Sequence, residues 1–284
     1  MEYIKLNTGA QMPLEGFGVF QVPDPAVCEQ AVYDAIRAGY RLIDTAQAYN
    51  NEEAVGRAVQ RAVSEGIVTR EELFITTKVW ISRMDEQDAY LSVKESLGKL
   101  SLDYADLILL HQPLGDYFAG YRGITRAYKA GIARAIGVSN FYPPVLANFC
   151  ETVDIIPAVN QIELHPFFVQ SDAIELMRSY GIAPQAWAPL AEGRFDIFTH
   201  KTLSQIGAKY GKTAAQTALR WNVQRGVCIL PKSVHKERIV QNMDIWDFSL
   251  TEEEMQAVSA LDMGYSEIAD LDKSDFVKFL LSFR

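Results

Sequence analysis

Ala105-Asp106-Leu107-Ile108-Leu109-Leu110-His111 is a short apolar run that closes on a histidine, and its reading decides the fold. A run this short and this apolar reads as a strand covered on both faces, the habit of parallel sheets. The chain repeats the device. Arg41-Leu42-Ile43-Asp44 ends on an acid, and Leu73-Phe74-Ile75-Thr76-Thr77-Lys78 ends on a lysine. Buried strands that present polar groups at their C-terminal ends build the catalytic face of an α/β barrel. The chain has only 4 histidines, so the position of one is informative.

Working outward, strand-like runs alternate with helical stretches, the pattern of parallel βα units. Eight strands are expected: Gly16 to Val19, Arg41 to Asp44, Leu73 to Val79, Ala105 to His111, Ala133 to Val138, Ile156 to Gln161, Ile182 to Trp187 and Val227 to Leu230. Amphipathic segments lie between them, among them Pro25 to Ala38, Glu52 to Ser64 and Gln87 to Leu100. Pro25 suits a first helical turn, where its missing N–H costs nothing. Thr69 to Glu72 and Thr251 to Glu254 have the spacing of capping boxes, the second opening a terminal helix through Ala260. Met1 to Leu14, around Thr8-Gly9-Ala10, reads as a hairpin covering the barrel floor. The competing architecture, an open doubly wound sheet, wants a glycine-rich turn after its first strand. Gly16-Phe17-Gly18 is followed by Val19-Phe20-Gln21 and lacks the remaining glycine. The expectation is one domain over residues 1–284: a (β/α)8 (TIM) barrel with an N-terminal β-hairpin and a C-terminal helix and tail.

Composition narrows the function. With 49% hydrophobic and 22% charged residues, the chain has the make-up of an ordinary globular protein. Its net charge of −9 argues against nucleic acid as a partner. A phosphorylated cofactor needs only a local cluster of cations. Cys28, Cys150 and Cys228 are odd in number and far apart, which argues against a disulfide framework or a zinc site and for a reducing compartment. The chain opens on no signal-like segment, and no apolar run approaches the ~20 residues of a spanning helix. The expectation is a cytoplasmic protein without a membrane partner.

Asp44, Tyr49, Lys78 and His111 lie at or just beyond three consecutive strand ends, so a parallel barrel brings all four to one rim. Asp44 and Lys78 can pair, with Tyr49 meeting them from the loop. A tyrosine loses its proton near pH 10, too weak an acid for work at pH 7. An ammonium about 4 Å away stabilises the phenolate by ~4 kcal/mol at an effective dielectric of ~20. That sets a ceiling of about three pKa units before desolvation opposes it. Such a tyrosine serves as general acid toward a carbonyl oxygen gaining negative charge, and His111 can orient the same oxygen. Taken singly, each residue has a plainer explanation: a cap, a packing aromatic, a satisfied interior histidine, a surface charge. Their common placement favours chemistry.

Gly16-Phe17-Gly18, Ile43-Asp44-Thr45-Ala46 with Tyr49, Thr77-Lys78 and His111-Gln112-Pro113 resemble the aldo-keto reductases. So do Ile136-Gly137-Val138-Ser139-Asn140-Phe141, Val159-Asn160-Gln161-Ile162-Glu163 and Ile229-Leu230-Pro231-Lys232-Ser233. The motifs arrive in family order from Leu6 to about Leu261, and the look is that of small bacterial diketogluconate and methylglyoxal reductases. The resemblance implies a barrel that binds NADPH/NADP+ and passes hydride to a small-molecule aldehyde or ketone. It implies Tyr49 as proton donor, Asp44 and Lys78 as its tuning pair, and His111 as the group that orients the carbonyl. A monomer is the oligomeric state it suggests.

The same resemblance distributes the cofactor contacts. Ser139, Asn140 and Gln161 offer the hydroxyl and amide groups that suit a nicotinamide carboxamide; alone, Ser139-Asn140 reads as a helix cap or turn. Trp187 stands where the family stacks an aromatic on the nicotinamide, although a core tryptophan is its plainer reading. Gly18 falls beside the cofactor, and Pro189, Leu190 and Gly193 lie in a turn-rich segment suited to backbone contact with the pyrophosphate. Lys232, Ser233, Val234 and Arg238 form a cluster for a 2′-phosphate, favouring NADPH over NADH, since Arg grips phosphate in a bidentate way. A solvated helix start is its bland alternative. Gln241 and Asn242 resemble adenine contacts. Phe20, Trp80, His111 and Gln112 match the substrate walls.

Departures from the pattern matter. Tyr-Gly-Asn-Glu is here Tyr49-Asn50-Asn51-Glu52, and Asn tolerates the left-handed backbone that a glycine allows. His-Trp-Pro is here His111-Gln112-Pro113, making one wall polar. Gln241 replaces a commoner glutamate, and Trp187 a commoner tyrosine. A short loop after His111 and a brief tail predict an open pocket, unless Asp270 to Arg284 folds over it through Phe276, Phe279 or Leu280. Two other classes compete. A cofactor-binding regulatory subunit conflicts with the intact tetrad. A metal-dependent barrel hydrolase wants a His-x-His or carboxylate cluster at strand ends, and only one histidine ends a strand; no metal is expected.

Overall fold

The computed structural model describes residues 1–283. Strands β1 (Tyr3–Lys5) and β2 (Gln11–Pro13) pair antiparallel as the expected hairpin, with Met12 buried against the barrel. Eight parallel strands follow: β3 (Gly16–Gly18), β4 (Leu42–Asp44), β5 (Phe74–Val79), β6 (Leu107–Leu110), β7 (Ile136–Ser139), β8 (Val159–Glu163), β9 (Ala183–Trp187) and β10 (Cys228–Ile229). They pair in chain order. The ends meet through a parallel bridge between Glu15 and Ile229, with Ile229 N–H donating to Leu14 O at 2.9 Å and Gly18 N–H to Pro231 O at 3.1 Å.

All eight expected strands are present, with shifted ends. The opening run pairs in its ladder only from Leu107 to Leu110, because Asp106 is a buried anchor. Its carboxylate accepts from Ile75 N–H at 2.9 Å and pairs with Arg70 at 2.8 Å and Arg134 at 3.3 Å. The strand expected at Ile156 begins at Val159 and runs on to Glu163; Pro157, lacking an N–H, sits before it.

Helices α1 (Pro25–Ala38), α2 (Glu52–Ser64), α3 (Glu86–Leu100), α4 (Tyr117–Lys129), α5 (Pro143–Cys150), α6 (Ser171–Ser179), α7 (Lys201–Ala208), α8 (Ala214–Gln224) and α9 (Lys236–Met243) surround the barrel. Two more close the chain: α10 (Glu252–Ser259) and α11 (Ser274–Leu281). Asp24 caps α1 through Ala26 and Val27 N–H at 2.9 and 3.0 Å, with Pro25 in its first turn. Thr251 and Glu254 form the expected capping box of α10; the Thr69–Glu72 box opens only a single 3-10 turn. The short hydrophobic strands fill the interior, with Phe17, Ile43, Ile75, Ile108, Ile136 and Val159 almost fully buried.

The register decides the site. It sets Gly18 beside Asp44, Asp44 beside Thr76, Lys78 beside Leu109 and Ser139 beside Gln161. Polar residues from successive strands therefore rise to one end of the barrel. At Gly16 a Cβ would lie 2.2 Å from Leu42 Cδ2 and 2.8 Å from Leu230 Cδ2, so the glycine leaves room for these two leucine side chains.

Candidate active site

A cavity of about 980 Å³ opens at that end, large enough for a cofactor and a small substrate together. Asp44, Tyr49 and His111 all line it. Lys78 lies immediately beneath, fully buried on β5. Its Nζ pairs with Asp44 Oδ1, donates to Thr45 O at 3.0 Å, and donates to the Tyr49 hydroxyl at 3.3 Å. A buried ammonium is tolerable only with such partners. Asp44 Oδ2 accepts from Gln161 Nε2 at 2.9 Å, and Gln161 Nε2 also donates to Gln185 Oε1 at 2.8 Å. Asp44, Lys78 and Tyr49 are thus one hydrogen-bonded cluster, held from behind by two buried glutamines, with the His111 ring packed edge-on against Tyr49.

The local backbone explains Tyr49. Residues Gln47–Tyr49 form a 3-10 turn that stops at Asn50, whose φ of 54° is left-handed. Asn50 therefore does the conformational work of the glycine more frequent there. Asn51 locks the loop. Its Nδ2 donates to Val19 O at 3.0 Å and its Oδ1 accepts from Thr45 Oγ1 at 2.8 Å. Gln47 ties the same turn to the next strand end, accepting from Trp80 N–H at 3.0 Å.

The electrostatics corrects one expectation. Burial pushes the Tyr49 phenol above its usual range, and the nearby Lys78 charge only opposes that rise. Tyr49 is a phenol at neutral pH, with a cation waiting on its oxygen. Burial raises the Asp44 carboxyl, against Lys78, while for Lys78 the attraction of Asp44 and Tyr49 outweighs burial and raises it. For His111, burial first and Lys78 second hold the imidazole well below its usual range, so it is neutral. Its ring sits edge-on to Tyr49 and to Trp80, with centroids 5.5 and 5.0 Å away.

Gly18, Ser139, Asn140, Gln161, Trp187, Pro189, Leu190, Gly193 and Lys232 line the same cavity. Ser139 Oγ donates to Gln161 O at 2.9 Å, and Asn140 Oδ1 accepts from Trp187 Nε1 at 2.8 Å, which fixes the indole. The segment after Trp187 is backbone-strained: Ala188, Ala191, Glu192, Phe195 and Asp196 all have φ between 47° and 57°. Ser233, Val234, Arg238, Gln241 and Asn242 are not on the cavity wall. Ser233 is buried and accepts from His235 N–H at 3.1 Å; Val234, Arg238 and Gln241 are exposed at the start and along α9, and Asn242 is buried.

Phe20, Trp80 and Gln112 form walls of the cavity as expected. The tail does fold over it: Phe276, Phe279 and Leu280 of α11 line the mouth, joined by Ile268, Ala269, Leu271 and Phe283. Trp80 Nε1 donates to Phe283 O at 3.0 Å. Gln185 stands in no sequence motif, and Asn51 and Glu163 stand in motifs that give them no role of their own. Gln185 had a signal: a polar residue at alternate spacing with Trp187 inside an expected strand.

The donor set fits a nicotinamide dinucleotide. Amide and hydroxyl groups stand beside an aromatic face, next to the tyrosine–histidine pair. A Cβ on Gly18 would lie 3.3 Å from Leu230 O, against the wall shared with Lys232. A parallel barrel with a buried lysine–carboxylate pair behind a wall tyrosine is a scaffold for proton transfer to a bound small molecule. The chain belongs to the aldo/keto reductase family, whose profile matches residues 16–263. It is 42% identical over 259 residues to glyoxal reductase of Bacillus subtilis, covering 91% of this chain and 92% of that one. Methylglyoxal reductase DkgA of Escherichia coli is 40% identical over 264 residues, covering 92% and 94%. A crystal structure of a Bombyx mori aldo-keto reductase in complex with NADP superposes with a TM-score of 0.89 at 36% identity, covering 95% of this chain and 96% of that one.

Proposed function

We propose that this protein is an NADPH-dependent reductase of small aldehydes, ketoaldehydes and keto sugars, with Tyr49 as proton donor. The observation that carries the reading is the hydrogen bond from the buried Lys78 ammonium to the Tyr49 hydroxyl at 3.3 Å, on the wall of the large cavity. Bound NADPH supplies a hydride to the carbonyl carbon. As the carbonyl oxygen gains charge, Tyr49 O–H transfers its proton to it and an alcohol forms. The phenolate left behind accepts from Lys78, whose charge Asp44 balances. His111, neutral, donates one ring N–H to the carbonyl oxygen and sets its direction. Ser139, Asn140 and Gln161 hold the carboxamide of the cofactor, and Trp187 stacks on its ring. Gly18, Pro189, Leu190 and Gly193 offer close backbone approach to the pyrophosphate.

Lys232 and Arg238 supply the cations for a 2′-phosphate, with Ser233 and Val234 between them and Gln241 and Asn242 further along α9 toward the adenine. In an acidic chain these cations are a local exception. Phe20, Trp80 and Gln112 shape the substrate end. We assign the chain to one domain, a monomer in the cytoplasm. Its three cysteines are buried and free, and among the described residues no helix is long and apolar enough to cross a membrane.

The test is loss of NADPH absorbance with methylglyoxal and a panel of aldehydes and ketones. Turnover of several members is expected. Tight NADPH binding with no turnover on any of them would favour the regulatory reading.

A further inference from the structure

Among the buried acids outside the tetrad, Glu163 stands nearest the cofactor wall in sequence. Glu163 ends β8, two residues past Gln161, and is fully buried. No lysine or arginine among the described residues pairs with it; its partners are His165 and Ser266. His165 Nδ1 accepts from Phe167 N–H at 3.2 Å, which leaves Nε2 to donate to Glu163 Oε1 at 3.0 Å. The other carboxylate oxygen, Oε2, accepts from Ser266 Oγ at 2.6 Å.

Ser266 belongs to the tail, and it is buried although its neighbour Tyr265 is exposed. Its Oγ also accepts from Ile268 N–H at 3.0 Å and Ala269 N–H at 2.9 Å, the first two lid residues on the cavity wall. Two further ties fix the approach of the tail: Met263 N–H to Phe167 O at 3.0 Å and Val169 N–H to Asp262 Oδ1 at 3.1 Å. At its far end the lid makes the Trp80–Phe283 bond at 3.0 Å.

We propose that Glu163, oriented by His165, is a positioning residue that holds the C-terminal lid closed through Ser266, and so sets affinity for bulky apolar carbonyl substrates. A buried acidic side chain with no lysine or arginine partner depends on every donor it has. Lid docking and satisfaction of Glu163 are therefore coupled. The lid brings Ile268, Leu271, Phe276, Phe279 and Leu280 to the cavity, an apolar cover that an aromatic aldehyde touches and methylglyoxal scarcely needs. The kinetic half of this proposal rests on the carbonyl-reductase reading; the structural half does not.

The experiment pairs hydrogen–deuterium exchange of residues 268–283 with steady-state kinetics on Ser266→Ala and Ser266→Thr. In Ser266→Ala, exchange over α11 should quicken at least tenfold. KM for an aromatic aldehyde should rise about tenfold and that for methylglyoxal less than twofold. Ser266→Thr, which keeps the hydroxyl, should restore exchange and both KM values. Unchanged exchange in Ser266→Ala would overturn the proposal, as would equal KM changes for the two substrates. If wild type reduces no carbonyl while exchange still responds to Ser266→Ala, the functional reading fails and the latch stands.

Discussion

At Tyr49, Lys78, Asp44 and His111 the sequence and the geometry agree on placement and differ on electrostatics. Strand ends carrying Asp, Lys and His were legible because a buried strand can afford a polar residue only where it leaves the core. The net rise of the Tyr49 pKa was not legible, since burial depends on neighbours from other elements such as Phe20, 5.0 Å away ring to ring. His111 gives a pH test. Its imidazole is held well below the usual range, so it is neutral on both sides of pH 6.5, and kcat should show no inflection there. A loss of activity on acidification with an apparent pKa near 6.5 would contradict this. The buried ion pair gives a stability test. Lys78→Met strands the Asp44 charge and should cost about 3–5 kcal/mol in denaturant unfolding. Adding Asp44→Asn to Lys78→Met should recover part of that loss. Simple additivity of the two single costs would rule out the pairing as described.

Among the elements, the helices Pro25–Ala38 and Glu52–Ser64 were readable to the residue, because capping and 3-4 spacing are local signals. Strand ends were less so: β8 runs to Glu163 because its last residues pair with Ala186 and Trp187 of β9, and the Glu163 side chain meets a tail about a hundred positions away. The tail's cover over the cavity was only one of two open possibilities for the same reason. The barrel seam holds another feature that local sequence did not signal. Glu15, buried between β2 and β3, accepts from Trp246 Nε1 at 2.9 Å while its other oxygen has no partner. Burial pushes its pKa up to about 8. Its pKa is therefore higher folded than unfolded, and folding takes up a proton between about pH 4.5 and 8. Its contribution to stability is full below pH 4.5 and is lost as pH rises through 8, a difference of about 5 kcal/mol. Glu15→Gln should flatten the dependence of the urea midpoint between pH 5 and 9 and raise stability at the alkaline end. An unchanged slope would show that Glu15 is ionised in the fold.

The whole molecule divides its labour by charge and by end. One end of the barrel is sealed by the hairpin; the other gathers a buried proton-transfer cluster, an amide-lined wall and an apolar lid around one cavity. Lys232 shares the cavity wall with the strained backbone segment after Trp187, and Arg238 lies exposed on α9 six residues further along the chain. Arg238→Ala should raise KM for NADPH at least tenfold and for NADH less than twofold; equal losses would remove Arg238 from 2′-phosphate recognition. The motifs around Ser233 to Asn242 were legible as residues, yet these side chains stand off the cavity wall: Val234, Arg238 and Gln241 are exposed, and Ser233 and Asn242 are buried. Tyr49 delivers the proton while other side chains hold the cofactor. This is tested most directly by comparing wild type with Tyr49→Phe for NADPH affinity and for methylglyoxal turnover. We expect NADPH affinity within about twofold of wild type and a kcat lower by ~10²–10⁴, the usual worth of a general acid. Full turnover by Tyr49→Phe would contradict the account.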